Sequence, residues 1–181
     1  SFAHALGVRY SEGLYKNPFI GRTFIMPGQE ERKKSVKYKL VPQELEIRDK
    51  KVLIMDDSIV RGNTSREIVR MLKDFGAKEV YFTVACPPVK YPCFYGVDMP
   101  TKGELIAGNM NEDEIQKNMG VDALLYQKID SLVEAVTRRG DHHIDTPCMA
   151  CLDGNYVGND IDEAKISEME MMRVHDRKGK R

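Results

Sequence analysis

The stretch from Lys51 to Ala85 constrains this chain more than any other. "KVLIMDD" is a short apolar run ending on two adjacent acids, the pattern of a strand covered on both faces. Residues 64–75, TSREIVRMLKDF, place Ile68, Val69, Met71, Leu72 and Phe75 at helical spacing. Thr64 with Glu67 three residues on predicts a capping box, and Gly76 predicts the helix end. "EVYFTVA", 79–85, reads as a second buried strand. Strand, helix and strand within about 35 residues make a βαβ unit, which requires a parallel sheet and places the chain among α/β folds.

The remaining sequence extends that unit. Residues 2–6 read as a helix end stopped at Gly7, and 13–26 as strand-like pieces broken by Pro18 and Gly21, before a Pro27-Gly28 turn. Residues 29–40 are basic and carry no apolar stripe, so they predict an exposed helix or a loop. "TKGELIA" and "NEDEIQKNMG" predict two short helices, the second ended by Gly120. "DALLYQ" (122–127) predicts a strand, and "IDSLVEAVTRR" (129–139) a helix ended by Gly140. Residues 141–158 read as irregular, and the charged tail from Asn159 as fraying or as an isolated helix. The expected division is 1–140 as one domain, 141–158 as a cysteine-bearing segment and 159–181 as a tail.

At 181 residues the chain can bury a proper core. Acidic and basic residues balance at 28 each, so no global field argues for nucleic acid or a membrane surface. No apolar run approaches the roughly 20 residues that span a bilayer. The start, SFAHALGVRY, has neither methionine nor the make-up of a signal peptide and reads as a chain entered midway.

The chemistry concentrates where the first strand ends. In a parallel sheet, ligands bind beyond the carboxyl ends of the strands, where Asp56 and Asp57 sit. The loop Ser58–Ser65 then feeds a helix N-terminus, whose free N–H groups and dipole favour an anion. Gly62 lets the backbone approach closely, and Thr64 and Ser65 offer hydroxyls. No Gly-Lys-Ser/Thr follows, so this is not a Walker A loop. The two aspartates suit vicinal hydroxyls or a hydrated Mg2+ rather than the phosphate itself. A ligand with a phosphate at one end and a diol in the middle, a ribose 5-phosphate, satisfies both halves. Asp-Asp at a strand end by itself is more often a plain turn; the acids, the loop and the helix start together carry the functional reading.

"VLIMDDSIVRGNTS" resembles the phosphoribosylpyrophosphate (PRPP) signature of type I phosphoribosyltransferases. Together with "GRTFIMPGQEERKKSVKYKL" it is similar to the glutamine PRPP amidotransferase family, from about Gly13 to Val157. The resemblance implies a type I phosphoribosyltransferase fold lacking its first strand and pyrophosphate loop. It implies PRPP binding by Asp56, Asp57, Ser58, Arg61, Gly62, Asn63, Thr64 and Ser65, with Mg2+ on Asp56 and Asp57. It makes residues 22–40 a loop folding over PRPP, with Lys39 reaching the pyrophosphate and Arg22 near its base as the catalytic pair. A regulatory purine nucleotide would meet Lys16 and Ser58. The chain departs from the family at Pro18, where relatives carry an arginine that helps bind that nucleotide. The implied activity, a cytoplasmic step of purine synthesis, joins ammonia from glutamine to PRPP, with the glutaminase domain absent here. The family also implies a homo-oligomer.

Cys148-Met-Ala-Cys151 can set two thiolates on one metal or cluster. On spacing alone zinc and an iron–sulfur cluster fit equally, and a redox pair fits poorly, since no strand and helix start flank it. His142 and His143 read as solvated. The resemblance implies a [4Fe–4S] cluster on Cys93, Cys148 and Cys151, with a fourth ligand upstream, and leaves Cys86 as a core thiol.

Two other classes compete. A non-catalytic PRPP-sensing regulator needs neither the Arg22–Lys39 segment nor the cysteines. A purine salvage phosphoribosyltransferase commonly carries an acid inside the loop, where this chain has Val60.

Overall fold

The computed structural model describes residues 2–18, 40–138, 146–158, 161 and 163–179. The elements in order are α1 (Phe2–Ala5), β1 (Leu14–Lys16), β2 (Leu40–Pro42), α2 (Glu44–Ile47), β3 (Lys51–Asp56), α3 (Asn63–Asp74), β4 (Glu79–Val84), a 3₁₀ turn (Lys102–Glu104), α4 (Ile106–Asn109), α5 (Glu112–Met119), β5 (Ala123–Tyr126), α6 (Ile129–Thr137), α7 (Ala150–Asp153) and α8 (Glu163–Gly179). The Arg22–Lys39 segment and Gly140 lie outside the described residues.

The sheet order is β3-β4-β5. Its hydrogen bonds fix the direction. Lys78 N–H donates to Lys50 O, Ala85 N–H to Asp56 O and Cys86 N–H to Asp57 O, so both strands climb together. Asp122 N–H to Val80 O and Gln127 N–H to Val84 O repeat the pattern on the other side. The βαβ expectation is therefore met, with parallel pairing on both flanks of β4. β1 and β2 form a separate antiparallel pair in which Tyr15 faces Val41.

β4, the middle strand, alternates fully buried Val80, Phe82 and Val84 with half-buried residues. β3 differs from the expectation of a strand covered on both faces. Leu53 and Met55, two apart and hence on one face, are 40% and 49% exposed. That face is therefore left partly open among the described residues, and β3 is also an edge strand of this sheet.

Helix ends also differ. α3 begins one residue early, at Asn63, and its cap is Gly62 at φ +71° with no side-chain hydrogen bond, so the Thr64–Glu67 capping box does not form. The reciprocal box occurs instead at Thr101 and Glu104 and at Asn111 and Glu114. Gly76 ends α3 as expected, at φ +84°, and its carbonyl accepts from Asp49 N–H at 2.8 Å. The segment around Cys148 and Cys151, read as irregular, contains the single turn α7, because Asp153 and Gly154 return N–H groups to Met149 and Ala150. α2 has no counterpart in the sequence reading. The tail is helical as α8, and Lys102 N–H donates to Glu170 Oε1 at 2.5 Å.

Internal packing separates two units that interleave in sequence: Ser1–Ile54, Gly62–Phe82 and Gln116–Leu124 in one, and Met55–Arg61, Thr83–Ile115 and Leu125–Arg181 in the other. In the first, Val69, Leu72, Val80, Phe82 and Ile47 are nearly inaccessible. In the second, Val89, Leu105 and Leu152 form a core on which Val60, Cys86, Met149 and Cys151 pack.

Candidate functional site

The two acids are held by their backbone, and each carboxylate accepts one hydrogen bond from the next residue. Their carbonyls accept from Ala85 and Cys86 at 3.0 and 2.9 Å. Asp57 N–H donates to Asp56 Oδ1 at 3.0 Å, and the Ser58 hydroxyl donates to Asp57 Oδ1 at 3.0 Å. Burial raises the Asp56 carboxyl above the ordinary value, and the charge of Asp57 adds to the rise, against the Asp57 N–H bond. A carboxylate kept uncomfortable in this way gains from a cation or a hydroxyl donor. The pair therefore fits Mg2+ or a diol on the chemistry of its own donors.

Ile59, 2% exposed, pins the loop that follows, and Val60 O accepts from Ile106 N–H at 2.9 Å. Arg61 turns to Glu104, with Nε and Nη2 at 3.1 and 3.0 Å from Oε1. Glu104 Oε2 is meanwhile held by Thr101 N–H and its hydroxyl, each at 3.1 Å. The Arg61 charge is thereby spent on a carboxylate, and Arg61 braces the loop against the 3₁₀ turn. Sequence reading placed Arg61 among the ligands and missed Ile59 and Glu104, although Thr101-x-x-Glu104 was a visible capping signal.

Gly62 opens α3, and the first intrahelical bond runs from Arg66 N–H to Gly62 O at 3.0 Å. Asn63 and Thr64 are exposed, whereas Gly62 and Ser65 are buried, Ser65 to 4%. No acid occupies the first turn. Among the described residues no side chain caps the helix start, which keeps its dipole and its N–H groups available, the condition for holding an anion. Lys16 is exposed at the end of β1. Arg22 and Lys39 lie outside the described residues.

Around the cysteines, burial raises the Cys151 thiol, with Cys93 the next cause and Cys148 a smaller one, so the charges of these thiols act on one another. Tyr95 N–H points at Cys93 Sγ at 3.5 Å. Phe94 and Tyr95 flank Tyr156, whose hydroxyl donates to Pro92 O at 2.8 Å and is pushed up to about 12, first by burial and then by Cys93. Lys90 and Tyr91 N–H both donate to Cys151 O at 3.0 Å. Among the described residues no three His, Cys, Asp or Glu side chains gather at metal-binding spacing. The three thiols are soft donors and would suit a thiolate-bound group in donor type. Cys86, expected as a buried core thiol, is half-buried and packs on the Val89–Leu105–Leu152 core.

A phosphoribosyl transferase domain matches residues 21–93, which include β3, its two acids and the loop into α3. Amidophosphoribosyltransferases are similar over nearly the whole chain. That of Pseudomonas aeruginosa is 49% identical over 171 residues, covering 94% of this chain and 34% of its own length. That of Methanothermobacter thermautotrophicus is 46% identical over 176 residues, 95% of this chain and 35% of its own. A solved glutamine PRPP amidotransferase from B. subtilis, complexed with ADP and GMP, superposes with a TM-score of 0.73 at 39% identity, over 91% of this chain and 37% of that one. The fold and the strand-end site therefore define a phosphoribosyltransferase domain. More particularly, the chain is a homologue of the amidophosphoribosyltransferases over the part of them that carries this domain, and it spans about a third of the length of those relatives.

Among the described residues no helix is long and apolar enough to cross a membrane.

Proposed function

We propose that this chain is the phosphoribosyl-transferring part of an amidophosphoribosyltransferase of purine synthesis, which joins ammonia released from glutamine to PRPP. The observation that carries the reading is the pair Asp56–Asp57 at the carboxyl end of a parallel strand, followed by a helix start that no side chain caps among the described residues. Residues 1–140 make the transferase part, 141–158 the cysteine segment and 159–181 the tail.

In the reaction the bond from ribose C1 to the pyrophosphate oxygen breaks, and its electron pair leaves with pyrophosphate. Nitrogen forms the new bond to C1 and gives up a proton. Asp56 and Asp57 bind the ribose hydroxyls and would hold Mg2+, which supplies charge neutralisation for the leaving group. Asn63, Thr64, Ser65 and the Gly62 turn hold the 5-phosphate on backbone N–H groups, and Ser58 steadies Asp57. Arg61 is a further PRPP contact in this reading and, paired with Glu104, also shapes this loop. Lys39 and Arg22 meet the departing pyrophosphate, whose negative charge grows as the bond breaks. Lys16 and Ser58 are the proposed contacts of a regulatory purine nucleotide. The enzyme acts in the cytoplasm as a homo-oligomer.

Cys93, Cys148 and Cys151 would hold a [4Fe–4S] cluster, which serves as a structural clasp. The soft donor type of the three thiols supports this, as does the Tyr95 N–H directed at Cys93 sulfur. The test of function is pyrophosphate release from PRPP with ammonium and Mg2+ by a P. aeruginosa relative whose matched segment is replaced by this chain. Activity is expected, and its loss on Asp57→Asn. An active Asp57→Asn chimera overturns the assignment.

A further inference from the structure

Arg66 is the feature the proposed site leaves over. It lies in the first turn of α3, where the positive end of the helix dipole disfavours a cation. Its side chain reaches back along the helix: Nη1 donates to Asn63 Oδ1 at 3.5 Å, and Nη2 donates to Asn118 Oδ1 of α5 at 2.5 Å. Both acceptors are neutral amides. Among the described residues no carboxylate pairs with Arg66, and its Nε is buried without a hydrogen-bond partner. The nearby cations of the same helix are differently placed: Arg70 approaches Asp74 at 3.9 Å and Lys73 approaches Asp122 at 4.0 Å. A half-buried guanidinium left unneutralised, aimed by a side chain from another helix at a turn that already repels it, has its charge uncompensated until an anion arrives. Two of its five N–H donors are in use, and the Asn63 contact is long enough to yield to a stronger acceptor.

We propose that Arg66 is a further anchor for the sugar phosphate at the start of α3, and that Asn118 is the positioning residue that aims it. The proposal rests on the phosphoribosyl reading above. It adds to the loop a cation besides Arg61, which pairs with Glu104. The phosphate displaces Asn63 from Nη1, while the Asn118 bond stays and keeps the fork in place.

The test is ribose 5-phosphate binding to the 181-residue chain with Mg2+, followed by titration calorimetry at two salt concentrations. Arg66→Gln keeps an amide to meet Asn118 and removes the charge. It is expected to weaken binding about tenfold, the size of one charge-assisted hydrogen bond, and to flatten the salt dependence. Arg66→Lys is expected to recover part of the affinity, and Asn118→Ala to lose less than Arg66→Gln because the charge remains. Melting temperatures are measured alongside. If Arg66→Gln lowers the melting temperature but binds within twofold of the parent, while Asp57→Asn abolishes binding, Arg66 is only a strut between α3 and α5 and the proposal falls. If the parent does not bind, or Asp57→Asn binds unchanged, the phosphoribosyl reading falls with it.

Discussion

In the proposed reading the loop after β3 and the cysteine segment would each hold a charged group, by opposite routes. From Asp56 to Ser65 the ligand groups follow one another in ten consecutive residues, and local geometry does most of the work. A parallel strand delivers the acids at its carboxyl end, a left-handed glycine turns the chain, and a helix start presents its N–H groups. Cys93 and Cys148–Cys151 are more than fifty residues apart in sequence, and Cys151 packs on the Val89–Leu105–Leu152 core while its carbonyl accepts from Lys90 and Tyr91 N–H. A locally built site tolerates damage elsewhere and fails by loss of a ligand group. A site built by packing fails when the packing fails. The variants below test that difference.

The largest effect is expected at the cysteines. Cys151→Ser in the full-length enzyme should abolish bound iron and sulfide together, read by colour and metal analysis of anaerobically purified protein. Cys86→Ser should leave both unchanged. Stoichiometric zinc in a colourless protein would replace the cluster by a zinc site.

Next comes Asp57→Asn. Removing one charged partner of the ribose and Mg2+ should cost about 1.5–3 kcal/mol in PRPP use, seen as a higher KM and lower kcat. Glutamine hydrolysis measured separately should persist. Loss of cluster iron in this variant would show that the two regions are not independent.

Gly154→Ala probes the packing-built region without touching a thiol. Gly154 sits at φ +83°, and a Cβ there would lie 3.0 Å from the Tyr91 ring. A cost of about 1–3 kcal/mol is expected, together with accelerated cluster loss on exposure to air. Ribose 5-phosphate affinity should change little. An equal fall in that affinity would erase the contrast drawn above.

The smallest effect concerns Asp56. Because burial raises its folded pKa above the unfolded value, the folded protein holds this proton more tightly. Ionised Asp56 therefore costs stability, and the cost is fully present above the folded pKa and vanishes below the unfolded one. Asp56→Asn keeps an oxygen for Asp57 N–H and should raise the neutral-pH stability of the ligand-free chain by up to about 1 kcal/mol, since the group is partly solvated. That gain should fade as pH falls below the ordinary carboxylate range, while Mg2+ and PRPP binding are lost. A variant less stable than the parent at pH 7 would contradict the stated origin of the shift.

The sequence by itself determined the parts that depend on neighbours along the chain. Apolar runs of β period around one amphipathic helix required the βαβ unit and its parallel pairing. Two acids before a glycine-containing loop point to the proposed phosphoribosyl site, because strand end, turn and helix start are consecutive. Gly76 and Gly120, both at positive φ, end their helices where the sequence places them. Tertiary structure decided everything that depends on what lies opposite. The exposure of Leu53 and Met55 on one face of β3 depends on what packs against the sheet, which no local pattern records. The cap of α3 passed from Thr64 to Gly62, because a turn that leaves N–H groups free for a ligand competes with a side chain that would satisfy them. Arg61 was diverted to Glu104 and Arg66 to Asn118, contacts spanning 43 and 52 residues. Charges on long side chains pair through space, so the partner of an arginine is fixed only once distant elements have packed.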